Sequence, residues 1–310
     1  MTTVDSILAV HPGALGDVVL FGRLLQRLEA PVTLIAGGQK ATLLRELGIV
    51  EVALDFDTLP MQELFARTPL QHGRLAGLLG EHRRLISCLG EGDALAGRRL
   101  ADMCRCESAS FLPVRSPEGA EVHLLDIWAD LLGLPAFDLE APAPAAAERL
   151  AAAGRTALAR AGHHAGRFVA LAPGSGSEVK NWPLECYRRL AGHLRDEHAM
   201  ARVWVLGPVE LDRWGETTAE RLKADGAVLV CPTPAELAGV LSLASAVVGN
   251  DSGTSHLAAM VGTATVALFG PTSARQFRPV GPRVRVIDRA SLDRITAAMV
   301  LEAMKTENIL

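Results

Sequence analysis

The run Val247-Val248-Gly249-Asn250-Asp251-Ser252-Gly253-Thr254-Ser255-His256-Leu257-Ala258-Ala259, with Thr265-Val266-Ala267-Leu268-Phe269-Gly270-Pro271-Thr272 close behind it, shows what kind of sheet this chain builds. It spells a short apolar run, a tight polar turn, a helix start, a second apolar run and a glycine turn. Apolar runs this short and this continuous belong to parallel strands covered on both faces. Asp251 or Ser252 is placed to cap a helix beginning near Gly253, and a glycine there lets a ligand approach the backbone. Unpaired N–H groups and the positive helix end would face the turn, an arrangement that suits phosphate. Ligands of such sheets sit beyond the carboxyl ends of the strands, where this turn lies. These residues alone leave two readings open, a phosphate-bearing ligand or an ordinary well-capped helix.

Working outward, the same alternation fills the second half. Phe168–Ala172 reads as a strand and Pro173-Gly174-Ser175-Gly176-Ser177-Glu178-Val179-Lys180-Asn181-Trp182-Pro183 as its loop. That loop gathers glycines, serine hydroxyls and one of only four lysines in the protein. It resembles a phosphate cradle without being a Walker A motif. A helix over Leu184–Glu197 and a strand over Val203–Leu206 follow. Glu210 then opens another helix, either as a partner for ribose hydroxyls or as a carboxylate favoured by the helix dipole. A helix over Pro234–Leu243, a strand over Val284–Ile287 and a closing helix over Ser291–Lys305 complete this half.

The first half opens with Ser6–Val10, a short apolar strand, then His11-Pro12-Gly13-Ala14-Leu15-Gly16-Asp17 and a helical pattern from Val18 to Leu28. Strand, glycine turn and helix form a Rossmann-like opening. Gly13 and Gly16 give only G-x-x-G, and no acidic ribose partner stands at the dinucleotide distance, which disfavours an oxidoreductase. Asp17 is either a dipole partner at a helix start or a general base facing a cleft. Strands over 32–36, 50–54, 85–89 and 110–112, with helices over 39–47, 94–104 and 123–132, continue the pattern. Seven arginines, Arg67, Arg74, Arg83, Arg84, Arg98, Arg99 and Arg105, face four acids in that span. Such a run is a solvated face or a basic rim for an anionic acceptor or membrane surface. Pro142 and Pro144, before an alanine-rich helix over 145–161, mark the domain boundary.

At 310 residues the chain suits two domains, and its 49% hydrophobic content suits wide sheets. A net charge of −4 disfavours nucleic acid as a partner. The five cysteines are scattered, and Cys104-Arg105-Cys106 has no second pair, so free thiols are expected rather than zinc. No apolar run reaches the ~20 residues needed to span a bilayer. The N-terminus lacks the basic and apolar regions of a signal peptide. A cytoplasmic location is therefore expected.

Together, Gly13-Ala14-Leu15-Gly16-Asp17, Pro173–Pro183, Gly249–His256 and Phe269-Gly270-Pro271-Thr272 resemble glycosyltransferase family 9, the ADP-heptose:lipopolysaccharide heptosyltransferases. The resemblance follows nearly the whole chain in order and is strongest in the second half. It implies an α/β GT-B fold, two Rossmann-like domains facing each other across a cleft. Residues 1–145 would bind acceptor, 146–290 would bind nucleotide-sugar, and helix 291–310 would return toward the first domain. It implies Asp17 as catalytic base. For the donor it implies Ser175, Gly176, Ser177, Lys180, Glu210, Asp251, Ser252, Gly253, Thr254 and His256. Gly13, Arg67 and Arg98 are the acceptor-side candidates. Thr254 and Ser255 depart from the Pro-Met or Leu-Ser pair common in the family, and the acceptor half matches weakly beyond Asp17.

The chemistry implied is inverting transfer of heptose from ADP-heptose to an inner-core lipopolysaccharide or related glycan. Peripheral contact at the cytoplasmic membrane face is compatible with the arginine run. Neither the 173–183 loop nor the 249–256 turn carries an Asp-x-Asp pair that suggests a divalent-metal clamp, so neither metal nor cofactor is expected. The competing readings are a transferase for another nucleotide-sugar or a protein acceptor, a non-catalytic nucleotide-sugar-binding protein, and an epimerase or hydrolase of the same fold.

Overall fold

The computed structural model describes residues 5–65, 73–117, 119–142, 148–164 and 166–310. The chain divides into two units, Met1–Phe137 and Asp138–Leu310, so the division falls before Pro142 and Pro144 rather than after them. The backbone explains the position: the Leu139 carbonyl already accepts the Gly281 N–H of the second unit.

In the first unit the apolar runs become β1 (Ile7–Val10), β2 (Val32–Ile35), β3 (Val52–Leu54), β4 (Arg84–Ser87) and β5 (Ser108–Phe111). They pair in parallel in the order β3-β2-β1-β4-β5. The connections carry α1 (Leu15–Leu25), α2 (Lys40–Glu46), α3 (Arg74–Leu79), α4 (Ala94–Met103) and α5 (Leu124–Leu131). Helix α1 starts three residues earlier than its apolar pattern does, because Leu15 and Gly16 need no buried face to enter the first turn. Asp17 thereby lies inside that turn, and its carboxylate accepts the N–H of Ala14, the residue that caps α1.

The second unit pairs β6 (Phe168–Ala172), β7 (Ala201–Leu206), β8 (Ala227–Val230), β9 (Ala246–Asn250), β10 (Thr265–Phe269) and β11 (Val284–Asp288). All are parallel, in the order β11-β10-β9-β6-β7-β8. Its helices are α6 (Glu148–Arg160), α7 (Leu184–Asp196), α8 (Pro208–Trp214), α9 (Glu216–Lys223), α10 (Pro234–Leu243), α11 (Gly253–Met260), α12 (Ala274–Phe277) and α13 (Ala297–Thr306). Strands β6, β9 and β10 are buried along their whole length, as continuous apolar runs require. The closing helix α13 packs on α7 and β10, and Glu307 just past its end pairs with Arg285 of β11 at 2.7 Å. Among the described residues no helix is long and apolar enough to cross a membrane.

Candidate functional site

In an open parallel sheet a crevice forms where neighbouring strands send their connections to opposite sides. The second sheet has one such point. From β6 the chain moves outward to β7 and β8, then returns to lay β9 on the other flank of β6. The loops leaving β6 and β9 therefore meet, and these are the cradle-like loop 173–183 and the Asn250–Gly253 turn.

Asn250, fully buried, ties the two loops together. Its Oδ1 accepts the Trp182 N–H at 2.9 Å and the Tyr187 hydroxyl at 3.2 Å, and its Nδ2 donates to the Pro173 carbonyl at 2.8 Å. Ser255 returns a hydrogen bond to the Asn250 carbonyl at 2.7 Å. Burial at this point is tolerated because both ends of the amide are satisfied.

On this frame Lys180 and Asp251 meet. Lys180 Nζ donates to Asp251 Oδ2 at 2.8 Å, and Thr272, from the loop after β10, donates its hydroxyl to the same oxygen at 2.8 Å. The carboxylate is 8% exposed and the lysine side chain 32%, so the pair is sunk at its acidic end and open at its basic end. Ser175 Oγ shares its single proton between the Ser177 carbonyl and Asn181 Oδ1 and accepts the Ser177 N–H, which fixes the turn around Gly176. Ser252 occupies the position before α11, but its hydroxyl caps nothing. It is buried without a hydrogen-bond partner among the described residues, and Asp251 is already engaged by Lys180 and Thr272. Gly253 and Thr254 open α11, and His256 is buried within that helix.

Glu210 reaches the site from β7's side. Its Oε2 accepts the Gly207 N–H at 2.7 Å, and its carboxylate lies against Gly174, where any Cβ would overlap it. It is therefore both the cap of α8 and a wall of the β6 loop. The structure thus gathers Ser175, Ser177, Lys180, Glu210, Asp251, Ser252, Gly253 and Thr254 at the carboxyl edge of one sheet.

The first sheet reverses between β1 and β4. There the Gly13 N–H donates to His11 Nδ1 at 3.0 Å, and Asp17 Oδ2 accepts the Ala14 N–H at 3.2 Å. Burial and the Lys40 charge push the His11 imidazole down to about 4, while burial and the nearby Asp17 and Glu91 charges push the Cys88 thiol up. Three of the arginines are occupied on their own surface. Arg83 pairs with Glu107 at 3.0 Å, Arg105 with Glu81, and Arg99 donates to the Leu64 carbonyl. Arg98 is exposed on α4. Arg67 lies outside the described residues.

Comparison with known proteins places this architecture. Residues 111–298, more than half of the chain, match the sequence model of glycosyltransferase family 9 (heptosyltransferase). The chain belongs to glycosyltransferase family 9. No curated protein matches it in sequence. Among solved structures it is similar to E. coli ADP-heptose LPS heptosyltransferase II, with 21% identity and a TM-score of 0.73. That likeness covers 97% of this chain and 98% of that one. A family 9 glycosyltransferase from Veillonella parvula gives 16% identity, a TM-score of 0.74, and 98% and 97% coverage. E. coli heptosyltransferase WaaC with ADP gives 19%, 0.69, and 97% and 99%. The shared fold is the GT-B class of α/β glycosyltransferases.

Within this family 9 chain, sequence reasoning passed over Asn250, Thr272 and His11. Asn250 and Thr272 stood inside the quoted motifs and read as turn residues. Their hydrogen bonds run to residues 63 to 77 and 21 positions away, which no local pattern encodes. His11 was given no role beside its glycine turn, and it is fully buried.

Proposed function

We propose that this glycosyltransferase moves heptose from ADP-heptose to an inner-core lipopolysaccharide or related glycan, with inversion and without a metal. The second unit would bind the nucleotide-sugar and the first the acceptor. The observation that carries the donor assignment is Lys180 at the β6/β9 crevice, its ammonium partly exposed and paired with Asp251, two residues before α11 begins. A diphosphate entering there takes Lys180 from Asp251 and meets the N–H groups of Gly253 and Thr254. These charges oppose the negative charge that develops on the departing ADP, the role a metal fills elsewhere. Ser252, with its buried idle hydroxyl, supplies one more donor. Glu210 offers its second oxygen to ribose hydroxyls, and His256 stands one turn inside α11 toward the sugar.

In the transfer, the acceptor hydroxyl oxygen bonds to the anomeric carbon as the bond from that carbon to the ADP oxygen breaks. The hydroxyl proton passes to the Asp17 carboxylate. On the acceptor side Gly13 shapes the turn and exposed Arg98, with Arg67, meets acceptor phosphates. Work at the cytoplasmic membrane face, in transient contact with anionic lipid, follows from such an acceptor.

The test is ADP release from ADP-heptose with lipopolysaccharide truncated before its first heptose, run with and without EDTA. Turnover that needs the acceptor, survives EDTA and falls to a small residual rate in Asp17→Asn, while that variant still binds ADP, is the expected result. Complete loss in EDTA restored by magnesium retires metal independence. Product formed without acceptor moves the chain to the epimerase or hydrolase reading.

A further inference from the structure

His11 is a fully buried imidazole that the transfer as described leaves without a task. It follows β1 directly, and its own N–H extends the β1–β2 ladder by donating to the Ile35 carbonyl at 3.0 Å. The ring is wedged between Phe21 of α1, at 5.2 Å between centroids, and Trp128 of α5, at 6.1 Å. It cannot turn without unpacking both. Held this way, Nδ1 faces the turn that follows and accepts the Gly13 N–H at 3.0 Å. The next N–H in the chain, that of Ala14, goes to Asp17 Oδ2 at 3.2 Å. Two successive peptide N–H groups are therefore taken by His11 and Asp17.

Gly13 makes this close fit possible. A Cβ there would stand 2.6 Å from His11 Cε1, 2.9 Å from Nδ1 and 3.1 Å from Asp17 Oδ2. Imidazole and carboxylate converge on one bare α-carbon. Accepting the Gly13 N–H also fixes the tautomer, since Nδ1 must carry no proton and the neutral ring holds its proton on Nε2. Nε2 is buried and has no hydrogen-bond partner among the described residues, a cost the fold accepts for the ring's other end.

We infer that His11 is a positioning residue, a neutral imidazole that orients the Asp17 carboxylate through the Gly13 and Ala14 peptides. The inference rests on the proposed reading of Asp17 as the base. A small displacement of a reacting group costs up to about 100-fold in rate, so the effect belongs in kcat and not in donor binding.

The experiment compares three variants. His11→Asn keeps an acceptor where Nδ1 stands, His11→Gln moves it out to the place of Nε2, and His11→Leu removes it. Turnover is followed as ADP release from ADP-heptose with the truncated lipopolysaccharide, beside the ADP Kd. Expected are a kcat within a few fold of wild type for His11→Asn and about 10- to 100-fold lower for the other two, with the ADP Kd unchanged in all three. Adding His11→Leu to Asp17→Asn should cost nothing further, because the imidazole acts through the carboxylate. Equal loss in Asn and Gln variants, wild-type kcat in His11→Leu, or full additivity overturns the inference. Wild-type kcat in Asp17→Asn alone retires the base reading instead. A readout free of turnover is 15N NMR of labelled histidine at pH 7, which should show protonated Nε2 and bare Nδ1 for His11; the opposite tautomer overturns the inference even if variants fail to fold.

Discussion

Lys180 and Thr272 share a single oxygen of Asp251, and their roles separate by how each could be read. A lysine in a glycine-serine loop announces phosphate, and an aspartate before a helix announces a turn. The threonine that holds the aspartate in place announces nothing, because its partner lies in another connection. Its hydroxyl supplies one of the two hydrogen bonds on Asp251 Oδ2 without charge, so Lys180 is less tightly claimed before a ligand arrives. Thr272→Val should therefore weaken ADP binding about 3- to 10-fold, in line with the net contribution of an ordinary hydrogen bond, about 0.5–1.5 kcal/mol, while Thr272→Ser stays near wild type. Calorimetric titration of both variants decides it, and an unchanged Kd in Thr272→Val removes Thr272 from the site. His11 makes a separate prediction about acid stability. Its folded value near 4 lies below the ordinary 6.5, so between those values the unfolded chain binds the proton and the folded chain does not. Stability from this group is present above about 6.5 and is lost as pH falls toward 4. The loss is about 2–3 kcal/mol, each step of one in pH between the two values being worth about 1.36 kcal/mol. Urea melts at pH 7 and 4.5 should show a smaller acid loss in His11→Asn than in wild type, and equal losses would remove His11 as the acid-sensitive group.

Among elements, the best specified are those whose sequence carries both an apolar run and a turn. Strands β1, β6, β9 and β10 and helices α7 and α10 stand where their patterns put them. Strand β8 and helix α9 leave a fainter mark: β8 is a four-residue edge strand with Val230 exposed, and α9 is largely polar. Edge elements bury one face, so their pattern is short and weak, and neither was legible in the sequence. The α6–α10 contact is invisible in one dimension for another reason. Gly154 and Gly239 meet backbone to backbone, and a Cβ on Gly239 would overlap the Leu150 carbonyl and crowd the Gly154 amide. Each glycine read alone looks like a defect in a helix, and only the pair explains either. Gly239→Ala should lower stability by roughly 1–3 kcal/mol, because overpacked backbone outweighs the helix propensity gained. Gly192 in α7 has open space where a Cβ would stand, with no heavy atom within 4 Å, so Gly192→Ala should raise stability by about 0.5–1 kcal/mol. Urea unfolding of the two variants gives opposite signs if the helices cross this closely, and a neutral Gly239→Ala would deny the close crossing.

At the scale of the whole molecule, the family match begins at Phe111 and runs to Ala298, leaving most of the first sheet outside it, while the fold likeness spans the chain. The two observations agree if the second unit's edge handles one chemistry and the first unit's edge is tailored to its own acceptor. Phosphate recognition needs a few residue types at fixed places, a lysine, a helix start and small residues, so it leaves a legible mark. Recognition by long side chains spread over a broad face needs no such fixed spacing, so the acceptor role proposed for the first unit leaves a fainter mark. The donor assignment then makes a statement about where ADP acts. Ligand bound only to the folded state at about 100 times its Kd stabilises by about 2.7 kcal/mol, and that stabilisation should be local in amide exchange. Hydrogen–deuterium exchange with saturating ADP should slow in 173–182 and 250–257 and stay unchanged in 11–18, where His11 and Asp17 sit. Protection centred on 11–18 would exchange the roles of the two units and with them the roles proposed for Lys180 and Asp17.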